Sequence, residues 1–330
     1  MGTRVTVGTF SPSVLLRIAR RTGELERAGL DVEERAVPSS PAQFRSLIDG
    51  ALDVALTSPD NVIAYRYSPA NPLATVVDAQ IVAGIDRGLG LALYGRPPAS
   101  TSGTPAPFGV NEQVTGRAPA PLDRPPFGSD VPTFGVDVPT SGFAFAMYAL
   151  AESLGLSRDH YRLATLGSTP KRLAALLAGE CDATMLNAGN DLQAERAGCP
   201  RLAGIEEVAR PYLGTVLAVV GPEHLEPATR LAGALRATAA AICGSELDDL
   251  ATDVAVEALD LPPEQARRYR DRLKDPDQGL LPDGRVDLPS LRSVVDLRRR
   301  YRAGVVDGED RLAQALVPGS GLLATTARVR

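Results

Sequence analysis

Residues 41–61 read PAQFRSLIDGALDVALTSPDN, and residues 170–190 read PKRLAALLAGECDATMLNAGN. The two stretches align without a gap, and several further positions keep an apolar residue in both. The chain therefore contains two copies of one structural unit. The identical pairs are Pro41 and Pro170, Leu47 and Leu176, Gly50 and Gly179, Asp53 and Asp182, and Asn61 and Asn190.

Each copy predicts a helix, a strand, a loop and a second helix. Pro41 suits the first turn of a helix, and apolar residues then recur at helical spacing until Gly50 ends it. Residues 54–56 form a short apolar run typical of a buried strand. Ser58 is placed to cap the helix that follows.

A weaker echo precedes each copy. Residues 8–12 read GTFSP and residues 135–139 read GVDVP. Each follows a predicted strand and leads into an apolar helix, residues 14–19 and 143–154. Strands that alternate with helices indicate α/β architecture with mainly parallel sheets.

Length and composition limit the function. A chain of 330 residues suggests about two domains. Its hydrophobic content of 44% is ordinary for a globular protein, and its net charge of −5 argues against a nucleic-acid partner.

No apolar run reaches the length of a membrane span, so no membrane insertion is expected. The N-terminus enters a strand pattern without a leader, so we expect a cytoplasmic protein, or an extracytoplasmic one if the N-terminus has been trimmed.

Neither a metal nor a cofactor is expected. The three cysteines, Cys181, Cys199 and Cys243, lack CxxC spacing, and His160 and His224 are the only histidines. No GxxxxGK[ST] motif occurs, and no GxGxxG motif follows a strand.

Polar loops follow the predicted strands. Ligands of open parallel sheets bind beyond the carboxyl ends of the strands. Helices start at these loops, and their N-termini attract carboxylate, sulfonate or phosphate groups. Simple helix capping is the alternative for any single loop. The predicted ligand-binding residues in these loops are Phe10, Ser11, Ser39, Ser40, Ser58, Asn61, Thr140, Ser141, Gly142, Asn187 and Asn190.

The chain resembles the type 2 periplasmic-binding-protein superfamily, nearest its sulfonate, nitrate and thiamine-precursor branch. The resemblance rests on VTVGTFSPSVLLRIARRTGELERAGLDVE, FRSLIDGALDVALTSPDNVIAY, FGVDVPTSGFAFAMYALAESLGL and RLAALLAGECDATMLNAG. It implies a two-lobed α/β fold. Each lobe would be a mixed, mostly parallel sheet flanked by helices, with a ligand cleft between the lobes that closes by hinge motion.

The resemblance also implies how the chain divides. Residues 1–93 and 215–330, with the C-terminal helices, would form lobe one, and residues 94–214 would form lobe two. Residues 95–132, rich in Pro, Gly and Ser, read as a long inserted surface loop. Tyr212, at the second crossover, would be a wall of the ligand pocket. We expect a monomer, with an ABC permease as a further partner if the protein is exported.

Two functions fit this resemblance. The first is a solute-binding protein that takes up a small organic anion of the carboxylate or sulfonate type. The second is a cofactor-independent lyase on the same scaffold, such as a decarboxylase, desulfinase or dehydratase, with Asp60 and Asp137 as catalytic residues. The missing leader favours the enzyme. The desulfinases of this fold use a Cys that follows the first strand, and residues 9–12 here contain none. The pyrimidine synthases use a Cys-rich motif and an active-site His, and the sequence shows neither.

Overall fold

The first of two sheets contains five strands. The computed structural model describes residues 2–97, 131–302 and 311–327. The sheet order is β2-β1-β3-β10-β4, with β10 antiparallel to both neighbours and the other four strands parallel. We call the part of the molecule built on this sheet lobe one. Its strands are β1 (Thr3–Thr9), β2 (Leu30–Ala36), β3 (Val54–Thr57), β4 (Ala79–Asp86) and β10 (Thr215–Val220).

The second sheet repeats this arrangement and defines lobe two. Its order is β7-β6-β8-β5-β9, and β5 is the antiparallel strand. In each sheet the antiparallel strand is the one that the chain enters after crossing from the other lobe. The predicted fold class, with two mixed sheets flanked by helices, is confirmed. The strands are β5 (Ala92–Gly95), β6 (Thr133–Val136), β7 (Arg162–Thr165), β8 (Ala183–Leu186) and β9 (Arg201–Gly204).

Helices start after most strands, and serine caps start several of them. The side chains of Ser13, Ser39, Ser58 and Ser141 each accept a hydrogen bond from a backbone N–H in the first turn of α1, α3, α4 and α5. The helices are α1 (Val14–Arg21), α2 (Glu24–Arg27), α3 (Ser40–Ile48), α4 (Pro59–Tyr67), α5 (Gly142–Ser153), α6 (Thr169–Ala178), α7 (Asn190–Arg196), α8 (Leu225–Cys243), α9 (Asp248–Leu259), α10 (Pro263–Lys274), α11 (Leu288–Tyr301) and α12 (Arg311–Gln314).

The chain crosses between the lobes twice, at residues 87–91 and 205–214. The first crossover ends before β5, so all of β5 lies in the second sheet, whereas the sequence places the boundary at residue 93. The crossovers touch backbone to backbone. A Cβ on Gly214 would lie 2.2 Å from the Gly88 nitrogen. Most of the predicted insertion 95–132 lies outside the described residues.

The C-terminal helices join the two lobes. Residues of α8, α9 and α10 share a hydrophobic core with α1 and the strands of sheet one. Helix α11 instead packs against α4 of lobe one and α5 of lobe two. In the described ranges, no helix combines the length and apolar character needed to cross a membrane.

Candidate functional site

A cavity of about 130 Å³ lies between the lobes. The residues that end β1, β3 and β4, or directly follow β6 and β8, border it, so the cavity sits at the carboxyl ends of strands from both sheets. This is the position at which ligands bind in open α/β folds. The space is large enough for a small molecule.

Eight of the residues predicted from the sequence border this cavity. They come from both lobes, and each lies in a loop or a first helical turn. The eight are Phe10, Ser11, Ser58, Asn61, Asp137, Ser141, Gly142 and Asn187.

Capping and ligand contact are compatible at two of these residues. The Ser58 hydroxyl accepts a hydrogen bond from the Asp60 N–H at 3.3 Å, and the Ser141 hydroxyl accepts one from the Ala144 N–H at 3.3 Å. A serine hydroxyl that accepts such a bond still has its own proton to donate. Both hydroxyls can therefore cap a helix and donate to a molecule in the cavity.

Two predicted residues join the lobes across the cleft instead of bordering the cavity. The Ser40 N–H donates to the Asp137 carboxylate at 3.1 Å, and the Asn190 side chain donates to the Ser11 hydroxyl at 3.2 Å. Ser39 caps α3 and does not border the cavity either. The structure thus shows the lobes in contact along the cleft.

Asp60 forms a buried ion pair with Arg298 beside the cavity, and Thr140 accepts a further hydrogen bond from the same arginine. The Arg298 guanidinium donates to both carboxylate oxygens of Asp60, at 2.5 and 2.7 Å, and to the Thr140 carbonyl at 3.1 Å. Neither Asp60 nor Thr140 borders the cavity. Arg298 therefore joins α11 to α4 through Asp60 and to lobe two through the Thr140 carbonyl.

Tyr212 lies in the second crossover and does not border the cavity. Its ring packs close to Gly88, where an added Cβ would lie 3.6 Å from the Tyr212 Cδ1. The side chain is buried, so Tyr212 contributes to the packing of the two crossovers.

Arg172 is the cationic residue of the cavity. Its side chain is 2% exposed and donates to the Gly167 carbonyl at 2.5 Å, the Thr169 hydroxyl at 3.0 Å and the Met185 carbonyl at 3.2 Å. In the described part of the chain it forms no ion pair. Burial lowers its pKa to about 10, and Asp137 opposes that shift. A buried guanidinium held only by neutral acceptors can take an anion at little further desolvation cost.

Asp86 is a buried acid on the lobe-one side of the cavity. It accepts a hydrogen bond from the Gly88 N–H at 2.7 Å and others from Thr215, so it connects the two crossovers. Burial raises its pKa to about 6, and these hydrogen bonds oppose the rise. At neutral pH the carboxyl is therefore mostly ionised but costly to keep charged.

The sequence did not single out Arg172 or Asp86 as site residues. Almost all basic residues in this chain are Arg, so no single Arg is informative. Alignment of the two repeats places Arg172 opposite Gln43, and that neutral-to-charged difference was the available signal. Among the described residues, no group of three His, Cys, Asp or Glu side chains could hold a metal ion.

Solved structures share this architecture. An alkanesulfonate-binding protein from Xanthomonas axonopodis pv. citri, bound to MOPS, is 14% identical with a TM-score of 0.64, and the match covers 99% of both chains. A periplasmic nitrate-binding protein from Synechocystis PCC 6803 is 12% identical with a TM-score of 0.67, over 99% of this chain and 92% of that one.

A third similar structure comes from a eukaryote. It is a Candida albicans gene product described as defining a new family with the generic periplasmic binding protein fold. It is 14% identical with a TM-score of 0.69, over 99% of this chain and 97% of that one. No family model and no curated protein matches the sequence. The chain has the fold of the periplasmic binding proteins, as the resemblance predicted.

Proposed function

We propose that this protein binds a small organic anion, a carboxylate or sulfonate, in the cavity between its lobes. The observation that carries the proposal is Arg172, a buried guanidinium that borders the cavity and forms no ion pair with any carboxylate of the described residues. The similar structures include an alkanesulfonate-binding and a nitrate-binding protein, which supports a small anion as ligand.

Helix N-termini add to the attraction for an anion. First-turn or capping residues of α1, α4, α5 and α6 border the cavity. The free N–H groups of a first turn carry partial positive charge. Helices from both lobes thus direct that charge toward one small space, and Arg172 adds a full charge.

Calorimetry with propanesulfonate, propanoate and nitrate tests the proposal. We expect at least one to bind and to be recovered unchanged. Arg172→Gln should weaken its binding by roughly tenfold to a hundredfold, because a hydrogen bond to a charged group is lost. Arg45→Gln, on the equivalent helix α3 but exposed, is the matched control and should bind as the unaltered protein does. Equal binding by Arg172→Gln and the unaltered protein would contradict the proposal.

A lyase is the second candidate. Asp137 and Asp86 both border the cavity, and the Asp86 pKa of about 6 suits proton transfer near neutral pH. Prolonged incubation with the anion that binds, followed by NMR of the small molecule, separates the two functions. Conversion that Asp137→Asn or Asp86→Asn abolishes would favour the lyase, and full recovery of the anion would favour the binding protein.

A further inference from the structure

The charges that border the cavity do not suit a simple anion alone. Of the described residues that border it, Arg172 is basic, whereas Asp86 and Asp137 are acidic. Two carboxyls thus face one guanidinium. A monoanion bound at Arg172 would add a further negative charge to a site that already carries more acid than base.

Asp86 has no cationic partner in the described structure. Two other buried carboxylates, Asp60 and Asp191, each pair with a guanidinium, from Arg298 and Arg272. Asp86 is 2% exposed, yet among the described residues it accepts hydrogen bonds from Gly88 and Thr215 alone. An unpaired buried carboxylate is costly, and a bound cationic group would remove that cost.

The surroundings of Asp86 suit an ammonium group. Tyr269 also borders the cavity, and the charge of Asp86 adds to the rise in the Tyr269 pKa that burial causes. A carboxylate and an aromatic residue that border one cavity can offer an amine an ion pair and a cation–π contact.

The basic and acidic residues reach the cavity from different lobes. Arg172 lies on α6 of lobe two, whereas Asp86 ends β4 of lobe one at the first crossover. A molecule that contacts both residues therefore offers one charged group to lobe two and the opposite charge to lobe one.

We propose that the ligand of this cavity is a zwitterion, whose acid group contacts Arg172 and whose amine contacts Asp86. This inference rests on the proposed function and names its ligand class more closely. It assigns Asp86 as a specificity residue, which selects amine-bearing acids over the corresponding simple acids.

Calorimetry with matched probes tests the inference. The amine-bearing probes are 3-aminopropanoate, 4-aminobutanoate, 5-aminopentanoate and 3-aminopropanesulfonate. Each is compared with the same acid without the amine and with its hydroxyl analogue. We expect at least one amine-bearing probe to bind roughly tenfold to a hundredfold more tightly than both of its partners. This comparison needs no altered protein.

Variants then assign the gain to Asp86. Asp86→Asn should abolish the advantage of the amine while simple acids bind as before or more tightly. Arg172→Gln should weaken every acid probe. Asp283→Asn, a partly exposed carboxylate at the surface, is the matched control and should keep the advantage.

The outcomes distinguish the inference from the function. If simple acids bind through Arg172 but no amine adds affinity, or if the gain survives in Asp86→Asn, the zwitterion inference is overturned and the anion site stands. If no acid binds at all, both are overturned.

Discussion

Gln43 and Arg172 occupy the same place in the two repeats but have different surroundings. The Gln43 amide donates to the Leu56 carbonyl at 3.2 Å, and Arg172 donates to the Met185 carbonyl at 3.2 Å, where Leu56 and Met185 are themselves equivalent. Gln43 is fully buried and does not border the cavity, whereas Arg172 does. Both lobes therefore have the same hydrogen bond from helix to strand at this position. In lobe two the side chain also borders the cavity and carries a charge.

Other duplicated positions are structural in both lobes. The Asp53 carboxylate accepts a hydrogen bond from the Thr6 N–H at 2.6 Å, and Asp182 accepts one from the Thr133 N–H at 2.8 Å. Each bond joins the repeat strand to its neighbour. Identity at Asp53 and Asp182 therefore marks a structural position, whereas the difference between Gln43 and Arg172 marks a position at the cavity.

The largest effect is expected at the buried ion pairs that hold α4 and α7. Arg298→Met and Arg272→Met should each cost about 3–5 kcal/mol of unfolding free energy, because Asp60 or Asp191 is left buried and unpaired. Urea unfolding measures this cost. Arg267→Met, exposed on α10, is the control and should be nearly neutral.

A double variant checks the cause. Asp60→Asn combined with Arg298→Met should recover much of the loss, since no unpaired charge remains. If the double variant is as unstable as Arg298→Met, packing of the arginine and not its charge explains the effect.

Asp86 should make the unfolding free energy of the protein depend on pH. Its pKa is about 6 in the folded protein against an ordinary value of 3.8, so the folded state holds the proton more tightly than the unfolded state. Stability should therefore fall as pH rises from about 4 to above 6, by roughly 3 kcal/mol in total. Urea unfolding of the ligand-free protein across this range measures the fall.

The comparison with Asp86→Asn isolates this contribution. The Asn variant should lack that part of the pH dependence, because no proton is exchanged at residue 86. Parallel curves for the two proteins between pH 4 and 7 would show that Asp86 keeps an ordinary pKa.

The duplicated aspartates should have similar effects in the two lobes. Asp53→Ala and Asp182→Ala each remove a carboxylate that accepts a backbone N–H, and each should cost about 1.5–3 kcal/mol. Thermal unfolding of both variants and of Asp31→Ala, an exposed control on β2, measures the costs. A large loss in one lobe alone would show that the repeats do not share this bond's role.

The smallest change in unfolding free energy is expected at residue 172, where lobe two has an arginine and lobe one has the neutral Gln43. Arg172→Gln makes lobe two match lobe one and should change the unfolding free energy of the ligand-free protein by less than about 1 kcal/mol, because relief from burying a charge offsets the lost hydrogen bonds. A loss as large as that of Arg298→Met would mean that Arg172 supports the fold more than the site.

The sequence predicted the sheets and much of the cavity wall because both follow local rules. The repeat copies specify their own helices and strands, and loops after parallel strands meet at one edge. The roles of Asp60 and Asp86 could not be predicted from such local rules. Asp60 is paired with a residue 238 positions away in the chain, and the acidity of Asp86 depends on burial at the crossover. Long-range pairing and desolvation are properties of the folded molecule.

The contact between Gly88 and Gly214 brings the two connections between the lobes together beside Asp86. No side chain separates the connecting segments there, and the Asp86 carboxylate both accepts a hydrogen bond from the Gly88 N–H and borders the cavity. A group that contacts Asp86 from the cavity would therefore share that carboxylate with Gly88 and Thr215.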